Sequence, residues 1–202
     1  MLTEREDNTR KSYDVSAENW LEHSGGRDRL TFWPEGMYQF IEKLQGDGVV
    51  LEVGCGPATD GKYLEKVGAI VLSTDYSSTM LKIAKELNPE GLFTQMDMQD
   101  LGLKDNMFNG FWATACIFHL ENPNKALKEL VRVTKNGGVG FITIKEGKGD
   151  EVSPKTGYYF KYYQGAEFEE ILTRNSLETL SSERKAGTPN HDFLTYLVRV
   201  TK

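Results

Sequence analysis

Twelve residues, VVLEVGCGPATD at 49–60, constrain this chain more than any other stretch. Val49, Val50, Leu51 and Val53 form a short, β-branched apolar run, the pattern of a strand buried on both faces. Gly54 and Gly56 follow at once, and a polar, helix-compatible segment at 58–67 comes next. Strand, glycine turn and helix in that order present backbone N–H groups and a helix N-terminus to a ligand. Glycines at the turn let the chain reverse sharply and let a ligand approach the backbone without meeting a Cβ.

The residues around the turn narrow the ligand. The dinucleotide fingerprint G-x-G-x-x-G is incomplete, because Thr59 stands where the third glycine belongs and Gly61 is out of register. A G-x-x-x-x-G-K-[ST] phosphate loop is absent as well. Glu52 lies two residues before Gly54. A carboxylate beside the turn suits a cationic ligand better than a pyrophosphate.

The rest of the chain reads as alternating helices and strands. Residues 1–12 are charged and expected to fray. A helix is predicted over 12–23, with Tyr13, Ala17, Trp20 and Leu21 on one face, ended by Ser24-Gly25-Gly26. Pro34 opens a second helix, with Met37, Phe40, Ile41 and Leu44 at helical spacing. Strand signals fall at 49–53, 69–74, 92–95, 109–115 and 139–144, with helical stripes between them. Ser77 or Ser78 caps one of these helices, and Ala126, Leu127, Leu130 and Val131 face inward on another. Residues 145–156 read as a charged loop, followed by an aromatic cluster at 158–163 and a helix at 165–175. Two strands, 177–184 and 193–200, close the chain around Gly187-Thr188-Pro189-Asn190. This alternation implies a mostly parallel sheet with helices on both faces.

At 202 residues the expectation is a single domain, with N-terminal helices or a lid at 1–45, a ligand-binding core at 46–145 and a substrate-side end at 146–202. The formal net charge of −6 argues against a nucleic-acid backbone as partner. No apolar run approaches the roughly eighteen residues of a membrane span, and the N-terminus has no export signal, so a cytoplasmic location is expected. Cys55 and Cys116 are the only cysteines and read as free thiols. Neither has partners at metal-ligand spacing, so no metal is expected. Oligomeric state is not set by any of these features.

In an open α/β sheet, ligands lie beyond the C-terminal ends of the strands. Glu52 and the glycines end the first strand, Asp75 the second, Asp97 the third, residues 113–119 the fourth, and Lys145 and Glu146 the fifth. Asp75 follows Gly54 by twenty-one residues, the spacing at which an acid accepts hydrogen bonds from ribose hydroxyls. His119 is the one well-placed base; a general-base role and a structural role both fit it. Asp60 either reaches the ligand or serves as the N-terminal acid of its helix.

The turn resembles motif I of the class I S-adenosylmethionine-dependent methyltransferases, E/D-x-G-x-G-x-G, with Glu52, Gly54 and Gly56 in place. Ala58 replaces the third glycine, a mild departure of one methyl group. VRVTKNGG at 131–138 is also close to the R-x-L-K-P-G-G that precedes the fifth strand in that family. The resemblance implies a doubly wound, seven-stranded sheet in the order 3-2-1-4-5-7-6 with the last strand antiparallel. It implies S-adenosyl-L-methionine as cofactor, S-adenosyl-L-homocysteine as product and a small-molecule methyl acceptor. Tyr13 would fold over the cofactor, Tyr76 would stack on adenine, and Asp97 and the Met98 amide would read the adenine edge. Ala113 and Thr114 would face the methionine part, with Glu52 and Asp60 adding negative charge. Cys55 in the turn and Met80 on the following helix complete the expected cofactor set. Lys145 and Glu146, with Trp20 and Tyr159, would meet the acceptor, and Trp20, Phe32, Trp33 and the 158–163 cluster form either a lid or simple packing. Two other readings stand beside this one: an NAD(P)-dependent oxidoreductase, and a methyltransferase-like module that binds the cofactor or a partner without turnover.

Overall fold

The apolar runs pair as their alternation with helices requires. In the computed structural model, which describes residues 2–23, 32–46, 48–188 and 191–202, five parallel strands lie in the order β3-β2-β1-β4-β5. They are β1 (Val49–Val53), β2 (Ile70–Asp75), β3 (Leu92–Gln95), β4 (Phe108–Ala113) and β5 (Thr134–Glu146). β9 (His191–Val200) runs antiparallel along the far edge of β5, and β8 (Leu177–Thr188) pairs antiparallel with β9. These seven strands follow the expected order, β8 and β9 standing as sixth and seventh.

Two more strands make nine among the described residues. The stretch expected to be a charged loop and an unassigned aromatic cluster contains β6 (Asp150–Val152) and β7 (Tyr159–Tyr163), which pair antiparallel. β7 also pairs in parallel with the tip of β5, Lys145 opposite Tyr162 and Glu146 opposite Tyr163. β4 has left β5 by then, its last pair being Ala113 with Ile142, while β9 holds the other edge. β7 therefore takes the edge that β4 vacates, directly above the strand tips.

Period-two alternation sorts side chains into two layers. Phe111, Ile142, Ile144, Tyr196 and Val198 point to α5 (Asn124–Val133) and α6 (Gly165–Arg174). Trp112, Val139, Phe141 and Leu197 point to α2 (Pro34–Lys43) and α3 (Thr59–Lys66). On α5 it is Val133 that joins Ala126, Leu127 and Leu130 in the buried stripe, with Val131 only partly covered. Ser77 caps α4 (Ser78–Leu87), its hydroxyl accepting the Met80 N–H at 3.0 Å.

The N-terminal helix departs most from expectation. α1 runs Glu4–His23, eight residues longer at its start than the apolar stripe indicated. Thr3 and Glu6 explain the extension. The Glu6 N–H donates to Thr3 Oγ1 at 3.3 Å and the Thr3 N–H to Glu6 Oε2 at 2.9 Å, a reciprocal cap. Glu4, Glu6 and Asp7 add favourable charge to the first turn. Ala17 and Leu21 then pack on Met80 and Ile83 of α4. Residues 24–26, 189 and 190, read as turns, lie outside the described residues. Among the described residues no helix is long and apolar enough to cross a membrane.

Candidate functional site

The β1 turn is pinned by its own backbone. The Cys55 N–H donates to Thr74 O at 3.0 Å and the Ala58 N–H to Cys55 O at 2.8 Å. Gly54 and Gly56 take φ values of +60° and +51°, and a Cβ on Gly54 would overlap Cys116. Ala58 also has a left-handed φ, +54°. The methyl group is thus not the mild change the sequence implied, since an L-residue pays roughly 1–2 kcal/mol for that conformation.

Asp75 closes the turn from the tip of β2. Its Oδ2 accepts the Gly56 N–H at 2.8 Å and its Oδ1 the Ser77 N–H at 2.8 Å. Burial raises the Asp75 pKa against the backbone N–H groups of Ser77, Gly56 and Tyr76. A carboxylate has about four lone-pair directions, more than these backbone groups fill, and Asp75 lines the cavity.

Glu52 does different work from the one expected. Its carboxyl lies under α3, accepting the Gly61 N–H at 3.1 Å and sharing a 2.5 Å hydrogen bond with Ser73 Oγ. A Cβ on residue 61 would strike the Glu52 carboxyl, so Gly61, out of register for a dinucleotide motif, is what lets α3 sit close on β1. Burial, with Asp60 nearby, pushes the Glu52 pKa up to about 8. At neutral pH this carboxyl is mostly protonated and contributes hydrogen bonds rather than the expected negative charge. Asp60 opens α3, and its Oδ2 accepts from Trp112 Nε1 at 2.9 Å and Thr114 Oγ1 at 3.0 Å.

These groups floor a cavity of about 560 Å³ at the strand tips. Glu52, Gly54, Cys55, Gly56, Asp60, Asp75, Tyr76, Met80, Asp97, Met98 and Thr114 all line it, as do Tyr13, Trp20, His119 and Lys145. Three residues singled out in the sequence do not. Ala113 is sealed in the core, and the lining begins at Thr114. Glu146 turns outward by strand alternation and binds Arg184 Nε at 2.6 Å. The Tyr159 ring also points away, its hydroxyl donating to Asp150 Oδ2 at 2.9 Å. Its neighbours Tyr158 and Phe160 line the cavity instead, as the period of a strand dictates.

The roof is built by distant segments. Tyr13 of α1 stacks on Tyr158 with centroids 4.0 Å apart and 10° between planes. The Tyr159 N–H donates to Thr9 Oγ1 at 2.8 Å, and Ser16 Oγ bonds Tyr158 Oη at 2.6 Å. Phe32, Trp33, Phe118, Phe160 and Phe193 complete an aromatic wall. Glu6, unremarked in the sequence, ties α1 to the floor's rim through the Glu121 N–H at 2.9 Å and Gln99 Nε2 at 3.2 Å. Its signal was the Thr3-x-x-Glu6 cap.

His119 ends a short 3-10 helix (Ile117–His119) and joins floor to roof. Its Nδ1 lies 2.7 Å from the Tyr159 carbonyl, which can only accept. Nδ1 therefore carries the proton, and Nε2 accepts the Tyr13 hydroxyl at 2.9 Å. Burial, reinforced by the nearby Lys145 ammonium, lowers the His119 pKa to about 4. The ring is neutral, weakly basic and already bonded at both nitrogens. Burial raises the Tyr13 hydroxyl well above its usual value, with Tyr158 and Asp75 adding to the effect. Lys145 Nζ sits 3.6 Å from the Phe160 ring centroid.

Comparison with known proteins agrees with this architecture. Residues 51–142 match the methyltransferase domain family. A malonyl-[acyl-carrier protein] O-methyltransferase of Buchnera aphidicola is 37% identical over 99 residues, 48% of this chain and 40% of that protein. A demethylmenaquinone methyltransferase of Streptomyces griseus is 37% identical over 117 residues, 58% of this chain and 50% of that protein. The chain thus spans half or less of the length of these two curated relatives. Among solved structures, the fold is shared with a Burkholderia thailandensis 1,6-didemethyltoxoflavin N1-methyltransferase bound to 1,6-didemethyltoxoflavin and S-adenosylhomocysteine. That match has a TM-score of 0.78 at 17% identity and covers 97% of this chain and 88% of the other.

Proposed function

We propose that this chain, a member of the class I S-adenosylmethionine-dependent methyltransferases, transfers a methyl group from S-adenosyl-L-methionine to a small-molecule acceptor and releases S-adenosyl-L-homocysteine. The observation that carries the reading is the sign of the floor. Asp60, Asp75 and Asp97 line it, while the protonated Glu52 adds hydrogen bonds and no charge. Among the described residues the arginine that lines the cavity, Arg10, is bound by Asp7 and Asp14 at 3.0 and 2.7 Å. Such a floor favours a ligand bearing a sulfonium and an ammonium. It disfavours a pyrophosphate, because the Gly56 and Gly61 N–H groups that would cradle one already serve Asp75 and Glu52.

Asp75, with hydrogen-bonding capacity left over, would hold the ribose hydroxyls. Tyr76 would cover one face of adenine, and Asp97 with the Met98 amide would read its edge. Asp97 is already oriented, Oδ1 accepting the Gln99 N–H at 2.9 Å. Thr114 and Asp60 would bound the amino-acid end. The cofactor supplies a methyl group on positively charged sulfur, activated for in-line displacement, so positioning and exclusion of water supply much of the rate. His119 suits positioning better than proton abstraction, given its low basicity and its bond to Tyr13. The size of the cavity and its aromatic roof suit a small acceptor.

Calorimetric titration with S-adenosylhomocysteine, with NADH as control, tests the cofactor. Binding of the first alone is expected; binding of NADH alone would overturn the reading in favour of an oxidoreductase. Incubating the chain and methyl-labelled cofactor with a cell extract, then ultrafiltering, tests the acceptor class. Label in the filtrate is expected, and label retained with macromolecules would refute the small-molecule assignment.

A further inference from the structure

The cavity is charged in opposite senses at its two ends. The acids lie at the tips of β1, β2 and β3, whereas Lys145 lies at the tip of β5, opposite Phe193 of β9 and Tyr162 of β7. Strand alternation turns Glu146 out to Arg184 and leaves Lys145 facing the cavity. Among the described residues the Lys145 ammonium has neither a hydrogen bond nor an ion pair. Its neighbours are the rings of Phe160 at 3.6 Å and Phe118 at 5.4 Å. Glu151 is the acid that acts on it from a distance, and that carboxylate is engaged by the Tyr162 hydroxyl at 2.6 Å. Burial accordingly lowers the Lys145 pKa.

An ammonium has three N–H donors, and a ring face beneath it satisfies one side only. The remaining donors open on a cavity walled by Trp33, Phe118, Phe160 and Phe193. A half-buried cation without a counter-ion is costly unless a ligand brings the charge. Flat rings on the walls accept a flat, apolar body by stacking.

We infer that the acceptor is a flat aromatic molecule carrying an anionic group, and that Lys145 selects it by pairing with that group. The inference rests on the methyl-transfer reading only in naming this molecule the acceptor. The pairing itself is a property of the β5 end of the cavity. A charge-assisted hydrogen bond at a site of this burial should confer about tenfold or greater preference for the anion.

The test compares two fluorescent probes that share an aromatic skeleton, anilinonaphthalenesulfonate and its uncharged analogue N-phenylnaphthylamine. Both are titrated into the full chain saturated with S-adenosylhomocysteine. The ratio of their affinities in the native chain is expected to fall about tenfold in Lys145→Met and to survive in Lys145→Arg. S-adenosylhomocysteine affinity should be the same in all three proteins, which also shows that the variants are folded. An unchanged probe ratio in Lys145→Met, or failure of both probes to bind the native chain, would overturn the inference. So would a loss of S-adenosylhomocysteine binding in Lys145→Met with Lys145→Arg unaffected, because Lys145 would then serve the cofactor. Failure of the native chain to bind S-adenosylhomocysteine would instead count against the cofactor reading, and the probe ratio in the free chain would still judge Lys145.

Discussion

The floor and the roof of the cavity are built on different principles. In the floor, polar groups are tied to neighbouring strands and to the start of α3, several of them over short stretches of chain. Gly56 and Asp75 are 19 residues apart, Glu52 and Ser73 21. Each functional carboxylate is held by hydrogen bonds that exist before any ligand arrives. In the roof, contacts join segments 106 to 150 residues apart, Tyr13 to His119 and Thr9 to Tyr159. Aromatic surface predominates there, beside the Lys145 and Lys185 ammonium groups. The floor has the rigidity needed to recognise one fixed ligand, whereas the roof presents the surface on which acceptors are distinguished.

The sharpest way to break this contrast is to damage the floor at Asp75. Asp75→Ala removes the proposed ribose acceptor and strips two amides of their partner. Each charge-assisted bond is worth about 1.5–3 kcal/mol, so S-adenosylhomocysteine affinity should fall roughly a hundredfold or more by calorimetry. Unchanged affinity would remove Asp75 from the site.

A second test uses pH. The Glu52 pKa is raised from its usual 4.5 to about 8, so the folded chain holds a proton that the unfolded chain releases. Its favourable contribution is complete below about 4.5 and is lost as pH rises through about 8. Glu52→Gln should therefore be more stable than the native chain at pH 8, by roughly 4 kcal/mol in denaturant melts. The difference should shrink toward pH 4.5. A constant difference would mean that Glu52 is ionised in the fold.

The roof has the opposite dependence. His119 falls from 6.5 to about 4, so the unfolded chain takes up the proton first. Stability from this group is present above about 6.5 and is lost as pH drops through about 4. Tyr13→Phe removes the hydroxyl held by Nε2 and should cost about 1 kcal/mol of stability. It should slow methyl transfer while leaving S-adenosylhomocysteine affinity within about tenfold of native. A loss of affinity as large as that of Asp75→Ala would erase the distinction between floor and roof. The smallest effect is expected at Ala58→Gly, where release of the left-handed strain opposes the lost methyl packing and the added freedom of the unfolded chain. Stability should change by less than about 1 kcal/mol, and a larger loss would show that the methyl group is packed to advantage.

The same contrast explains what could be read from the sequence. The floor was legible because its residues follow strand signals directly: an acid or a glycine immediately after a β-branched run has few places to go. The order of the seven principal strands came from family resemblance, not from periodicity, which carries no information about neighbours. The roof was legible only as composition. The 158–163 cluster is visible as aromatics, but without a partner strand its phase is hidden, so nothing local marks Tyr158 and Phe160, rather than Tyr159, as the residues that line the cavity. β7 exists because β4 stops one turn of the ladder before β5 does, a long-range fact with no local signature. The start of α1 was missed for the opposite reason. The Thr3–Glu6 cap was in plain view, but the helix it begins has little apolar surface in its first two turns.

The 2.8 Å bond from the Tyr159 amide to the Thr9 hydroxyl has a consequence for how the chain is made. On a ribosome, Thr9 emerges about 150 residues ahead of its partner, on the order of ten seconds at roughly 5–20 residues per second. The strands that form the floor all emerge within that interval. The bonds that Thr9 and Ser16 make to Tyr159 and Tyr158 can form only after those residues have emerged, so these contacts belong to a late stage of folding. Substitutions at Thr9 or Ser16 should then speed unfolding with little effect on the folding rate, whereas substitutions at Val50 or Phe111 should slow folding.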